Sequence, residues 1–195
     1  MNVWGIRRGY HGLLREELIP MNGRDVSDTI QRGGTILQTA RSMQMRTQEG
    51  QLKAAGVLKK YGIQGLVVIG GDGSFAGAEK LSQYGINVIG VPGTIDLDIA
   101  CTEYTIGFDT ALNTIVEAVD KLRDTSSSHR RCSIIEVMGR NCGALAINAG
   151  IAVGAELVIT SETGYNEEEI IECICEAAKT KRHCIVILAE KVTNI

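Results

Sequence analysis

Two apolar runs in this chain each break off into glycine and aspartate: Val67-Val68-Ile69-Gly70-Gly71-Asp72-Gly73-Ser74 and Val91-Pro92-Gly93-Thr94-Ile95-Asp96-Leu97-Asp98. An unalternating apolar run of this length reads as a strand covered on both faces. Four more segments complete the expected strands, giving 2–6, 65–69, 87–91, 132–137, 156–160 and 184–189. Amphipathic stretches lie between them. Residues 51–61 and 110–123 read as helices, another helix begins near Phe75, and 166–181 is the clearest. In that last segment Asn166 suits an N-cap, Glu167 to Glu169 fill the first turn, and Lys179 and Lys181 close the end, all complementing the helix dipole. Ser126-Ser127-Ser128 reads as a loop after a helix. The alternation predicts an α/β fold of Rossmann-like, doubly wound type, a mostly parallel sheet with helices on both faces. Ligands of such sheets bind beyond the carboxyl ends of the strands, where both glycine-aspartate loops fall.

Composition narrows the function. The net charge of −3 gives no electrostatic case for nucleic acid or an anionic membrane. No run is long enough to span a bilayer, and the first residues carry no signal-peptide stretch. Cys101, Cys132, Cys142, Cys173, Cys175 and Cys184 form no C-x-x-C pair and have no histidine at zinc-finger spacing. They read as reduced, structural thiols of a cytosolic protein, with Cys132 and Cys184 as small hydrophobes leading into strands.

The loops carry the chemistry. Glycines after a buried strand let backbone amides approach a polyphosphate, and a helix N-terminus offers further amides. Ser74 would cap that helix. Asp72 would repel a phosphate unless a cation intervenes, so it suits Mg²⁺; the bland alternative is a turn in which Asp72 bonds its own backbone. In an extended loop, Asp96 and Asp98 point one way and Leu97 the other. Two carboxylates facing one site could divide the work, one accepting a proton and the other orienting groups or meeting metal; the alternative is a solvated acidic loop. Arg131 before the fourth expected strand, Arg140 just after it, and Arg41 are candidate phosphate ligands, although each alone could be a surface charge. His11, His129 and His183 have no acid–base partner by spacing. No serine elbow, Walker loop or dinucleotide fingerprint occurs.

Taken together, Gly33-Gly34-Thr35, Val67 to Ser74, Pro92 to Asp98, Thr105-Ile106-Gly107-Phe108-Asp109-Thr110-Ala111, Arg123-Asp124-Thr125 and Glu136-Val137-Met138-Gly139-Arg140 resemble the ATP-dependent 6-phosphofructokinase family of bacterial type, across nearly the whole chain. The resemblance implies phosphoryl transfer from MgATP to the 1-hydroxyl of fructose 6-phosphate, in glycolysis, in the cytoplasm. It implies that Asp96 accepts the hydroxyl proton with Arg140 as a second catalytic group, that Asp72 holds Mg²⁺, and that Tyr10, Arg41, Gly71, Asp72, Gly73 and Ser74 form the ATP site. Thr94, Asp96, Met138, Gly139, Arg140 and Glu190 match the sugar-phosphate positions, and Arg131 matches an arginine that reaches a neighbouring subunit of a homotetramer. Arg123, Glu156, Lys179 and Lys181 fall where ADP and phosphoenolpyruvate act as effectors. Gly73 and Gly93 resemble the ATP-using rather than the pyrophosphate-using branch. By the same resemblance, 1–107 is the remainder of an ATP-binding domain lacking its first strand, and 108–195 begins a substrate and effector domain. The chain then reads as an internal portion, with little or no turnover by these 195 residues alone. It departs from the family at Leu97, where the family has asparagine.

Two readings compete with this one. NAD kinases and diacylglycerol kinases also use Gly-Gly-Asp-Gly loops, but Arg131, Met138-Gly139-Arg140 and the pair Asp96 and Asp98 favour a sugar kinase. A non-catalytic nucleotide- or effector-binding module is the rival from another class, and it would bind effector without turning over fructose 6-phosphate.

Overall fold

The computed structural model describes residues 2–163 and 166–192. The chain divides into two compact units, Met1–Ile69 with Gly73–Val91, and Gly70–Asp72 with Pro92–Ile195.

In the first unit, β1 (Val3–Ile6) pairs antiparallel with β2 (Leu18–Met21), with α1 (Gly9–Leu13) between them. The sequence reading missed β2 because Pro20 removes a ladder donor. Proline is tolerated here because β1 and β2 form a sheet of only two strands, in which both are edges. Next come α2 (Gln48–Lys60), β3 (Gly65–Gly70), α3 (Asp72–Gln83) and β4 (Asn87–Pro92), with β3 and β4 as neighbours in a second sheet. Leu13, Leu14, Leu58, Leu81 and Ile86 centre the core. α2 starts where its chemistry directs: the Thr47 hydroxyl accepts from the Gly50 N–H at 3.1 Å. Thr47→Ala is expected to remove about 1 kcal/mol of stability, read from the urea midpoint.

The second unit holds α4 (Phe108–His129), β5 (Cys132–Val137), α5 (Ala144–Val153), β6 (Leu157–Ile159), α6 (Glu167–Thr180) and β7 (Cys184–Ala189). Its sheet is parallel, in the order β5-β7-β6. β7 is central and buried on both sides. Ile185, Ile187 and Ala189 pack with Val119, Ala146 and Val153 of α4 and α5, whereas Cys184 and Val186 pack with Ala177 of α6. That is the doubly wound arrangement expected of continuous apolar runs.

Three expectations need correction. Coverage on both faces fails on β3, β4 and β5: Val67, Ile69, Ile89 and Ile134 are each more than 60% exposed. On the Ile134 side of the sheet, α6 packs chiefly over β6 and β7. Ser126 to Ser128 are helical, not a loop. The Ser126 hydroxyl is buried against that of Ser133 at 2.6 Å, and Ser128 donates to the Asp124 carbonyl one turn back, so both have partners within a helix. Finally, α3 begins at Asp72 rather than near Phe75, which puts Ser74 inside the first turn instead of at the cap.

Candidate functional site

The loop after β4 brings the carboxylates together. Asp96 is only 8% exposed. Its Oδ2 accepts from the Thr94 hydroxyl at 3.3 Å, and the Asp96 N–H donates to that hydroxyl oxygen at 3.3 Å. The other carboxylate oxygen, Oδ1, is buried with no partner among the described residues, as are Asp98 Oδ1 and the Thr105 hydroxyl. Burial first, then the neighbouring Asp98, raises the Asp96 pKa above the ordinary aspartate value; the Thr94 hydroxyl and Arg140 oppose the shift. A buried carboxylate with one oxygen free is built to receive a proton or a donor from a ligand.

Arg140 faces this loop from the end of β5. Its Nη1 lies 3.2 Å from Asp98 Oδ2 and its Nη2 3.5 Å from Asp72 Oδ2. Gly139 and Arg140 form the turn, with φ of +146° and +55°. A Cβ at Gly139 would stand 2.6 Å from the Cys142 carbonyl oxygen, so only glycine fits. Glu190, at the end of β7, accepts from the Gly139 and Arg140 N–H groups at 3.0 and 2.5 Å. A Cβ at Gly71 would touch Thr94 at 3.4 Å. Met138 is 59% exposed beside the turn. Arg131 stands at the opposite end of β5, about 20 Å along the strand from Arg140. It is exposed and is not brought to this group of residues within the chain.

In the first unit, the Tyr10 hydroxyl donates to the Ser74 carbonyl at 2.7 Å, and burial pushes its pKa up to about 12. The ring lies where a side chain on Gly77 would sit, 2.6 Å from the Cβ position. Nothing lies within 4 Å of a Cβ on Gly73, leaving open space at the helix start. Arg41 is exposed.

A second group surrounds the loop from α5 to β6. Glu156 is nearly buried; it pairs with Lys181 at 2.6 Å and accepts from the Ile185 N–H at 2.6 Å. Burial opposes ionisation there, but the Ile185 N–H and Lys181 together hold the carboxyl below its usual range. Arg123 donates to the Val153 carbonyl and lies 3.1 Å from His183 Nε2, so His183 has the partner that spacing did not reveal. Lys179 pairs instead with Glu176 on its own helix. A lowered folded pKa contributes stability above the unfolded pKa and loses it as pH falls through the folded one. Glu156→Gln is therefore expected to cost about 2 kcal/mol at pH 7, with the deficit shrinking as the pH falls below about 4, in paired urea titrations.

All six cysteines are free. Cys132 and Cys184 stand side by side in the β5–β7 ladder. Cys184 is the buried hydrophobe expected, its thiol pushed up to about 12 by burial and by Cys132, whereas Cys132 is exposed. Sequence reasoning quoted Thr105 only within the run 105–111 and gave its buried, unpartnered hydroxyl no role. No group of three His, Cys, Asp or Glu side chains suited to a metal occurs among the described residues. No helix among them is long and apolar enough to cross a membrane.

Parallel α/β cores whose strands run into glycine-rich helix starts form a fold class that commonly receives phosphate groups. Residues 1–195 match the phosphofructokinase family model throughout, and the chain belongs to that family. It is 56% identical over 193 residues to an ATP-dependent 6-phosphofructokinase of Clostridium botulinum, covering 98% of this chain and 60% of the relative. One from Clostridium tetani is 55% identical over 191 residues, covering 97% and 60%. The chain thus spans about 60% of the length of these curated relatives. The structure of phosphofructokinase from Saccharomyces cerevisiae matches with a TM-score of 0.86 at 34% identity, over 97% of this chain and 29% of that one. A pyrophosphate-dependent phosphofructokinase from Nitrosospira multiformis shares the fold, with a TM-score of 0.87 at 21% identity, over 100% of this chain and 53% of that one.

Proposed function

We propose that this chain carries the phosphoryl-transfer machinery of an ATP-dependent 6-phosphofructokinase, acting in glycolysis in the cytoplasm. The observation that carries the reading is Asp96: buried, raised in pKa, one oxygen free, and flanked by the Asp98–Arg140 pair. Asp96 takes the proton of the fructose 6-phosphate 1-hydroxyl. The freed oxygen bonds to the γ-phosphorus of ATP as the bond to the β-phosphate oxygen breaks, releasing ADP. Arg140 meets the charge gathering on the transferred group, a role for which its fork of donors is suited. Gly71 to Ser74 admit the ATP phosphates at the start of α3, with Tyr10 and Arg41 contributing to nucleotide binding. Asp72, exposed and held only loosely by Arg140, fits an Mg²⁺ ion that arrives on the phosphates, because magnesium is commonly held by one or two carboxylates plus substrate oxygens. That ion would neutralise phosphate charge. Thr94, Met138, Gly139, Arg140 and Glu190 serve the sugar-phosphate side, and Arg131 serves a neighbouring subunit of a homotetramer. Arg123, Glu156, Lys179 and Lys181 answer to ADP or phosphoenolpyruvate. Residues 1–107 belong to the ATP-binding domain and 108–195 to the substrate and effector domain.

The test is ADP production by a protein that carries this segment at the full length of its relatives. Formation of ADP that depends on fructose 6-phosphate is expected. Binding of effector with no sugar-dependent ADP would replace this reading with a non-catalytic module. Leu97→Asn in the same protein is expected to raise kcat/KM by up to about tenfold, because the family resemblance puts asparagine there and an amide that meets a buried partner is worth about 1–3 kcal/mol. Steady-state kinetics of both forms decide it, and equal values would separate position 97 from catalysis.

A further inference from the structure

We propose that Cys132 and Cys184 form a modification site: peroxide oxidises the exposed Cys132 thiol, and the buried Cys184 thiol beside it closes a reversible disulfide. The inference does not rest on the phosphofructokinase reading. The two residues are register partners at the start of the parallel β5–β7 ladder. Side chains at matched positions of neighbouring strands point to the same face of the sheet. That face is the one α6 covers, since Cys184 packs with Ala177. α6 packs chiefly over β6 and β7. Cys184 is 3% exposed, whereas Cys132, on the edge strand, is open to solvent. Ile134, two residues further along β5, is exposed on the same face. The pair thus offers one reachable sulfur and one sheltered sulfur.

The spacing suits a bond between them. Neighbouring strands lie about 4.8 Å apart, inside the span of about 4.4–6.8 Å that disulfides bridge between Cα atoms but below its commonest values. The bond can close without parting the strands, and a disulfide away from its preferred geometry is the readily reduced kind. The Cys184 N–H donates to the Arg131 carbonyl at 3.3 Å, so the backbone already holds the two strands in register at this point. Burial, then Cys132, pushes the Cys184 thiol up to about 12, which keeps it protonated and leaves the first step to Cys132.

With hydrogen peroxide, the Cys132 sulfur bonds to one oxygen as the O–O bond breaks, and the other oxygen leaves with the thiol proton as water. Cys132 is then a sulfenic acid. The Cys184 sulfur bonds to the Cys132 sulfur, the S–O bond breaks, and the hydroxyl leaves with the Cys184 proton as a second water. Each sulfur gives up one electron, and the peroxide oxygens take up both. Cys173 on α6 is the competing thiol. It also lies near Cys184, but its S–H donates to the Glu156 carbonyl at 3.6 Å.

The test is peptide mapping of a protein that carries this segment at the full length of its relatives. The protein is exposed to equimolar hydrogen peroxide, alkylated and digested without reductant. A peptide pair joined through Cys132 and Cys184 is expected in the wild type, and dithiothreitol should return both thiols. In Cys184→Ala the sulfenic acid loses its resolving neighbour, so dimedone labelling at Cys132 is expected to rise about tenfold over the wild type. Cys132→Ser should abolish the joined pair and leave Cys184 reduced. Linkage of Cys184 to Cys173, a covalent dimer through Cys132, or oxidation of Cys101 or Cys175 ahead of Cys132 overturns the assignment. Equal dimedone labelling with and without Cys184 overturns it as well. The wild-type map decides the matter by itself should the Cys184→Ala variant fail to fold.

Discussion

Asp96→Asn is expected to lower kcat by about a thousandfold while leaving the fold intact. Positioned proton acceptors contribute on the order of 10²–10⁴ in rate, and no other described carboxylate combines burial with a free oxygen in this loop except Asp98, whose second oxygen is committed to Arg140. Stability is expected to move the other way. A carboxyl whose folded pKa is raised contributes stability below its unfolded pKa and loses it as pH rises through the folded one. As the pH rises through the folded pKa, the wild type takes on the burdened, charged form. The amide of the variant, isosteric and neutral, relieves it. Urea midpoints of the variant should lie above those of the wild type at neutral pH and converge with them below about pH 4, the ordinary aspartate range. For activity, the same raised pKa places the acid limb of the kcat/KM profile above that of an unperturbed aspartate. Wild-type kcat in the Asp96→Asn variant would remove Asp96 from the proton transfer. Gain of stability with loss of rate would be the familiar exchange between a poised site and a relaxed one.

Gly139→Ala is expected to have the largest effect on stability. The added methyl would stand 2.6 Å from the Cys142 carbonyl oxygen, which is backbone and cannot swing aside, and φ of +146° suits no residue with a side chain. Backbone strain and displacement together are expected to cost about 3 kcal/mol, read from the urea midpoint. Because Arg140 follows directly, the displacement also carries the guanidinium away from Asp98, so kcat/KM should fall with stability. A variant that lost neither would show that the turn has room the geometry denies.

How much of this was legible before the structure depends on the element. β7 was plain, since Cys184 to Ala189 is apolar without a break. β2 was hidden by Pro20, and α1 by its brevity and two glycines. α5 was hidden by uniformity: Ala144 to Val153 is apolar nearly all round, so no helical period stands out. α4 was read short because serine is a poor helix former, and the Ser126–Ser133 and Ser128–Asp124 contacts accompany its continuation. The aspartate loop and Arg140 were visible as residue types in order. The hydrogen bonds from the Gly139–Arg140 turn to Glu190 were not, because they join groups fifty residues apart through a turn whose dihedral angles leave little mark on sequence. His183 was passed over for the same reason, its partner Arg123 lying on α4 sixty residues earlier.

The central place of β7 also governs how this unit can be born. β5 and β6 are not hydrogen-bonded to each other; each pairs only with β7, the last of the three to leave the ribosome. β6 is complete roughly thirty residues before β7 ends. At about 5–20 residues per second, the nascent chain waits seconds with two unpaired edges and an unfilled slot between them. The strand that fills the slot is an uncharged, β-prone run of six residues, the kind of segment that self-associates when left exposed. Folding yield should therefore depend on how fast β7 inserts, and slowed translation just before residue 184 should favour aggregation over assembly.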